Sequence, residues 1–251
     1  MMNIDYTNKT VLVTGATRGI GRSIADLLYE SGANLYLTGT KKGEVDELNS
    51  RVQKMGIERV HYLQVDFLDK DSMSDFCDEL ACLDRIDACI NNAGINQINE
   101  FCEVSSDEFM RIMQVDLFSA YRILKYVVPK MKQNKYGRIV NIASIWSVIS
   151  RPGRSSYTIA KNAVNGLTKG LAVELASHNV MVNSVSPGFT LTELTKMTNT
   201  LEQIEELEGI IPARRMATPL EIAQVVAFLC SEYNSYMTGQ NITVDGGYTN
   251  V

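Results

Sequence analysis

The chain has 251 residues, 45% hydrophobic and 21% charged, with a formal net charge of -5 at pH 7. That balance is an ordinary globular one, and an acidic chain without a basic stripe is not built to hold nucleic acid. No run approaches the roughly 18 consecutive apolar residues of a membrane span, and the start "MMNIDYTNKTVLVTG" lacks the basic-then-apolar pattern of a secretory leader, so a cytoplasmic protein is expected.

Along the chain, short β-branched runs alternate with longer amphipathic stretches, the pattern of βαβ units in a parallel sheet. The first strand, "TVLVT" from Thr10, runs into a glycine-rich turn and a helix beginning near Gly19. Next come a strand from Asn34, a helix near Glu44, a strand from Val60 to Asp66, a helix near Lys70 and a strand from Ile86 to Asn91. A long helical pattern from Asp107 to Lys132 leads to a strand from Gly137 to Ala143 and a helix from Tyr157. A strand from Val180 to Ser186, a helix from Pro219 and a strand from Asn241 to Asp245 complete the series. Seven strands of this kind predict an α/β fold: one doubly wound parallel sheet with helices on both faces, a single domain over residues 1–251. Ser106 before Asp107 and Glu108, and Thr218 before Pro219 and Glu221, read as helix starts.

Residues 189–216 interrupt the alternation. The segment is long for a connection, rich in Thr and Glu, and follows a strand of a parallel sheet, so it emerges on the edge where ligands bind in such folds. It reads as a substrate lid. The five cysteines, Cys77, Cys82, Cys89, Cys102 and Cys230, are odd in number and lack C-x-x-C pairing, which suggests buried reduced thiols. With only two histidines, His61 and His178, in unrelated contexts, no metal site or histidine-based mechanism is expected.

The turn "TGATRGIG", Thr14 to Gly21, sits between a strand and a helix, so backbone N–H groups and the positive helix end can meet a pyrophosphate. Its spacing is G-x-x-x-G-x-G, and with it the chain resembles the short-chain dehydrogenase/reductase family. The resemblance continues through Asp66, "NNAG" (Asn91 to Gly94), Ser144, Tyr157 with Lys161, "SPG" (Ser186 to Gly188) and "VDGG" (Val244 to Gly247). It implies a Rossmann-type NAD(P)-binding oxidoreductase that moves hydride between a nicotinamide and a carbonyl or secondary alcohol. The overall similarity is greatest to 3-oxoacyl-(acyl-carrier-protein) reductase-like members, so an acyl-carrier-bound or small-molecule carbonyl is the implied substrate. Sugar, polyol and hydroxy-acid dehydrogenases share the same motifs. A homodimer or homotetramer built on the long helices is implied as well.

By the same resemblance Gly15, Thr17, Arg18, Gly19, Ile20 and Gly21 hold the pyrophosphate. Asp66 and Phe67 lie near the adenine, Asn92, Ala93 and Gly94 near the adenosine ribose, and Pro187, Gly188, Phe189 and Thr190 at the nicotinamide amide. Tyr157 and Lys161 reach the nicotinamide ribose. The dinucleotide type is read after the second strand, where an acid would bond a ribose 2′-OH and a cation a 2′-phosphate. Here "LTGTKKG" offers Thr40 and Lys41 with no acid before Glu44, and Arg18 adds a planar cation. NADPH/NADP+ is therefore favoured over NAD.

Tyr-x-x-x-Lys occurs three times, at Tyr121, Tyr126 and Tyr157. The first two lie inside the long helical pattern, where the spacing merely puts Tyr and Lys on one helix surface. Tyr157 opens a helix 13 residues after Ser144 at a strand end, on the same sheet edge as the glycine turn. Ser144, Tyr157 and Lys161 have the family's catalytic spacing. Reducing a ketone builds negative charge on its oxygen, which must receive a proton, and an adjacent ammonium can acidify the phenol that gives it. One cation about 5 Å away supplies roughly 3 kcal/mol at an effective dielectric of about 20.

The family's fourth position, usually asparagine in the helix before the fifth strand, is Asp116 here. Its charge could fix Lys161 as the cation and modify the proton relay. The loop between Ser144 and Tyr157 carries Trp146, Arg151 and Arg154; with Ser144 and Tyr157, Trp146 and Arg154 are the expected substrate contacts, and the guanidinium groups suit an anion. A reading of another class, a non-catalytic NADPH-binding regulator, finds encouragement in Asp116 alone.

Overall fold

A strand buried on both faces must be apolar throughout, and β1 (Thr10–Val13) follows that rule: Val11 and Val13 enter one core and Leu12 the other. The computed structural model describes residues 4–251 and carries this two-sided pattern through the chain. In order come α1 (Gly19–Glu30), β2 (Asn34–Gly39), α2 (Lys42–Lys54), β3 (Val60–Gln64), α3 (Lys70–Cys82), β4 (Ala88–Asn91), α4 (Ser106–Met113) and α5 (Ser119–Asn134). There follow β5 (Gly137–Ile142), α6 (Ser155–Leu175), β6 (Val180–Pro187), α7 (Glu193–Thr198), α8 (Leu201–Ile210), α9 (Pro219–Cys230) and β7 (Asn241–Val244).

All seven predicted strands are present, and they form one parallel sheet in the order β3-β2-β1-β4-β5-β6-β7. The chain winds outward from β1 to β3, then crosses back to lay β4 beside β1. The loops after β1 and β4 therefore part at their carboxyl ends and leave a crevice, the ligand position of doubly wound sheets. Ile24 and Leu28 of α1, Val45 of α2 and Ile222 and Val226 of α9 close one face. Met73 and Phe76 of α3, Ile123 and Val127 of α5 and Leu175 of α6 close the other.

Helix starts differ from expectation by a residue or two. Ser105, not Ser106, caps α4, in a reciprocal capping box with Glu108, while Thr218 and Glu221 form the same device on α9 as predicted. The helix α2 begins before Glu44 and α6 before Tyr157, at Lys42 and Ser155. The expected single helix from Asp107 runs as α4 and α5 joined by a π-helical turn, Gln114–Phe118. One wider turn rotates everything after it without breaking the apolar periodicity, so the sequence pattern does not reveal it. Asp116 lies in that turn.

Residues 189–216 are not a loose loop. They hold α7 and α8, each started by a threonine cap, Thr192 and Thr200. Both ends are pinned together: Leu191 N–H donates to Ala217 O at 2.8 Å and Ala217 N–H to Phe189 O at 2.9 Å. The excursion leaves the carboxyl end of β6 and returns to it, exposing Leu194, Met197 and Leu201.

Candidate active site

The glycine turn after β1 is shaped by sterics. Gly15 and Gly19 take positive φ, +63° and +58°, and a Cβ on Gly21 would lie 2.2 Å from the Gly15 carbonyl oxygen. Thr14 Oγ1 accepts from the N–H groups of Asn92 at 2.9 Å and Ala93 at 3.0 Å. Asn92 Nδ2 returns bonds to the carbonyls of Thr14 and Gly15, and Gly15 N–H donates to Thr38 Oγ1. The carboxyl ends of β1, β2 and β4 are thus laced together, which spends the Asn92 side chain on the turn itself. The role of Thr14 and Thr38 in this lacing is not among the sequence expectations; a threonine at each of two apolar strand ends is the available signal.

Helix amino ends sort by what caps them. Side chains cap α3, α4, α7, α8 and α9 and α5 runs on from the π turn, whereas α1, α2 and α6 are preceded by Arg18, Lys41 and Arg154 with no side-chain cap. Those three uncapped ends are the ones predicted to meet ligands, and each is led by a cation. The α1 end fits a pyrophosphate, with free first-turn N–H groups beside a turn kept bare of Cβ atoms. At α2, Thr40 and Lys41 are exposed, as is Arg18.

The remaining predicted cofactor residues fall along the same edge. Thr17 faces Gly39, where an added Cβ would meet its methyl at 2.7 Å. Asp66 accepts from Leu68 N–H at 2.9 Å, Ile20 lies half-buried against the core, and the Phe67 ring is buried edge-on to Phe76 while its carbonyl accepts from Gln114 Nε2 at 3.2 Å. Gly188, after buried Pro187, packs so closely on Asp245 that a Cβ would lie 2.7 Å from the aspartate Cβ, joining the "SPG" and "VDGG" motifs. Phe189 meets Trp146 and Tyr248 edge-on, at 6.4 and 5.1 Å between ring centres, and Thr190 Oγ1 donates to Gly188 O.

Ser144 follows β5, buried, with its hydroxyl accepting from Trp146 N–H at 3.3 Å. Tyr157 stands in the first turn of α6, and one turn later Lys161 brings its Nζ 5.4 Å from the centre of the phenol ring. That ammonium donates to Ile142 O at 3.1 Å and pairs with Asp116 Oδ2 at 3.0 Å, both side chains being buried. The other carboxylate oxygen accepts from Ile95 N–H at 2.8 Å. Gly94 covers the pair: a Cβ there would lie 3.2 Å from both Asp116 Oδ2 and Lys161 Nζ. Tyr121 and Tyr126 sit on α5, away from this edge; Tyr121 is exposed and Lys130 is engaged with Ala81 O.

Below the reacting edge runs a buried polar chain that sequence reading missed. Asn91 Nδ2 donates to Asn141 Oδ1 at 2.7 Å, and Asn141 Nδ2 donates to Thr168 Oγ1 at 2.9 Å, linking β4, β5 and α6. Asparagines inside otherwise apolar strands were its signal. The five cysteines are free, Cys77, Cys89 and Cys230 buried but Cys82 and Cys102 exposed, so the expectation of burial holds for three. Among the described residues no group of ligating side chains could hold a metal ion, and no helix is long and apolar enough to cross a membrane.

A profile of the family described as enoyl-(acyl carrier protein) reductase matches residues 15–249. A 3-oxoacyl-[acyl-carrier-protein] reductase of Aquifex aeolicus is 37% identical over 249 residues, covering 98% of this chain and 99% of that protein. The chain belongs to the short-chain dehydrogenase/reductase family. Nodulation protein G of a Rhizobium species is 35% identical over 97% of the chain and 98% of its own length. In structure, a gluconate 5-dehydrogenase of Burkholderia cenocepacia, solved in complex with NADP and tartrate, superposes with a TM-score of 0.90 at 28% identity, covering 99% of this chain and 98% of that one. This short-chain dehydrogenase/reductase is accordingly an NAD(P)-dependent oxidoreductase.

Within this family member the electrostatics are not those of a lone lysine beside a phenol. Burial pushes the Tyr157 hydroxyl up, Lys161 pulls it down, Asp116 pushes it up again, and the Ser144 hydrogen bond and Arg154 pull it down; in the protein alone the phenol lies above its ordinary value. The expected acidification by Lys161 is offset first by burial of the phenol and then by the Asp116 carboxylate. Burial would push the Lys161 ammonium down, but Tyr157 and Asp116 outweigh it and hold it above the ordinary lysine value.

Proposed function

We propose that the protein is an NADPH-dependent ketoreductase in which Tyr157 protonates the substrate oxygen, Ser144 holds that oxygen, and Lys161, fixed by Asp116, is the supporting cation. The observation that carries the reading is the meeting of a hydroxyl, a phenol and a buried ammonium on one sheet edge beside a glycine turn that fits a pyrophosphate. When bound, the nicotinamide supplies or accepts the hydride. The chain's own part is to orient the carbonyl, to deliver a proton from Tyr157 Oη in reduction and to remove it in oxidation. Residues 189–216 act as the lid that excludes water, their pinned base serving as a hinge and Leu194, Met197 and Leu201 as the face that covers substrate.

The relatives named 3-oxoacyl-[acyl-carrier-protein] reductases support an acyl-carrier-bound 3-oxo substrate. A hydroxy-acid or sugar-acid substrate is the second reading, favoured by the uncompensated cation Arg154 and by the likeness to the gluconate 5-dehydrogenase. Five free thiols fit a reducing, cytoplasmic setting. An apolar groove between α5 and α6, lined by Leu124, Val128, Pro129, Leu167 and Leu171, supports a homodimer or homotetramer.

NADPH oxidation measured against ketones, aldehydes and β-ketoacyl thioesters tests the reaction. Cofactor binding without turnover on any of them would instead favour the non-catalytic regulator. The cofactor preference has its own test. The double variant Arg18→Ala, Lys41→Ala is expected to lose about 10- to 100-fold in kcat/KM for NADPH, because two charge-assisted contacts to a 2′-phosphate go, with little change for NADH. Equal losses on both cofactors would contradict it.

A further inference from the structure

Arg154 is the one guanidinium of the described residues that is both buried and without a polar partner. It is 7% exposed, its Nε has no hydrogen-bond partner, and no carboxylate pairs with it. The other deeply buried arginine, Arg138, spends its guanidinium on the carbonyls of Gly137, Asn179 and Ser231. Arg154 lies instead against the Trp146 ring, 5.3 Å from its centre, with a second guanidinium, Arg151, 5.1 Å from the same centre. Two cations on one ring repel, and burial together with Arg151 pushes the Arg154 guanidinium below its ordinary value. Keeping a guanidinium buried without a hydrogen-bonding partner is costly, and an anionic ligand that supplies the partner recovers that cost.

The surroundings say what completes it. Arg154 is the N-cap residue of α6, a helix of 21 residues, and its side chain caps nothing, so the first-turn N–H groups and the positive helix end begin at the residue that carries the guanidinium. Tyr157 is in that same turn and Ser144 stands two residues before Trp146, and the Arg154 charge is close enough to act on the Tyr157 phenol, so this cation adjoins the proposed reacting groups. Lys161 cannot serve as its cation, because Asp116 already neutralises it at 3.0 Å.

Resting on the reading of Ser144, Tyr157 and Lys161 given above, we infer that Arg154 and the amino end of α6 bind a carboxylate of the substrate, which makes the preferred substrate a small oxo acid or hydroxy acid rather than a neutral ketone. The planar fork of arginine matches a carboxylate with two parallel bonds, and it is held on the Trp146 face at little entropic cost. The carboxylate would sit on the Trp146 side of the carbonyl and set which end of the molecule faces Tyr157.

The test compares acetoacetate and levulinate with their methyl esters, using NADPH, for the parent protein, Arg154→Gln and Arg154→Lys. The parent is expected to favour each acid over its ester. Arg154→Gln is expected to lose on the order of 100-fold in kcat/KM for the acids, mostly through KM, and to change only a few-fold for the esters, with Arg154→Lys between them. Equal losses on acid and ester, or a parent that favours the esters, would overturn the inference while leaving the ketoreductase reading intact. Thermal melting gives a second readout that does not need turnover. Succinate, which has no ketone to reduce, should raise Tm of the NADPH-loaded parent and not of Arg154→Gln. In the unliganded protein Arg154→Gln should leave Tm equal or raised, since it removes a buried unpaired charge. A fall of many degrees there would mean that Arg154 is a structural residue and would overturn the proposal.

Discussion

Replacing Tyr157 with phenylalanine is expected to lower kcat for ketone reduction by about 1,000-fold or more, while NADPH affinity and Tm stay near the parent's. The ring remains, so α6 packs as before and Lys161 keeps its neighbours; what goes is the single hydroxyl able to protonate the carbonyl oxygen. A parent-like kcat would remove Tyr157 from the chemistry, and parallel variants Tyr121→Phe and Tyr126→Phe, both expected to be active, control for the repeated spacing. The raised phenol carries a sign. A phenol held above its ordinary value stays protonated through neutral pH, so the reductive kcat/KM should be flat there, whereas oxidation needs the phenolate and should rise with pH into the alkaline range. A reductive rate that falls steadily between pH 6 and 8, as from a phenol titrating in about that window, would contradict the assignment.

The strands were legible because strands buried on both faces must be apolar and β-branched, and nothing else in the chain shares that pattern. Tyr157 could be chosen over Tyr121 and Tyr126 because topology fixes which end of each strand faces the ligand, so Ser144 and the glycine turn become neighbours without any coordinates. Other features depend on geometry that no local pattern encodes. The π turn preserves the apolar periodicity while re-aiming Asp116, so the sequence marks the aspartate but not its 3.0 Å approach to Lys161. Arg154 reads in sequence as one of two loop arginines; its burial and its place 5.3 Å from the Trp146 ring centre depend on the conformation of an irregular loop, which no periodicity encodes. The Asn91, Asn141 and Thr168 chain comes from residues 50 and 27 positions apart, brought into line only by the β4 and β5 register.

Asp116 stands where the family resemblance implies an asparagine, and its replacement has the second large effect. Asp116→Ala leaves the Lys161 ammonium buried with no counter-charge, and breaking such a pair costs about 3 to 5 kcal/mol. For a chain of this length that corresponds to a fall in Tm of roughly 6 to 20 °C. The pH dependence of that loss distinguishes a charge effect from a packing one. In the parent, Lys161 is held above its unfolded value of about 10.5, so its stabilisation is complete below that pH and disappears only as pH rises through the higher folded value. Without Asp116, burial weighs more and the ammonium loses its proton more readily, so the gap between variant and parent should narrow as pH approaches 10, whereas a cavity left by a small side chain would cost the same at every pH. Asp116→Asn separates charge from hydrogen bonding. The amide oxygen can still accept from Ile95 N–H or from Lys161, so the loss of stability should be smaller than for Asp116→Ala, the remainder being the lost counter-charge, and turnover should survive. Because the carboxylate is one of the groups that push the Tyr157 phenol up, removing its charge should move the alkaline rise of the oxidation rate toward lower pH. An unmoved rise would mean that Asp116 positions Lys161 without setting the acidity of the proton donor.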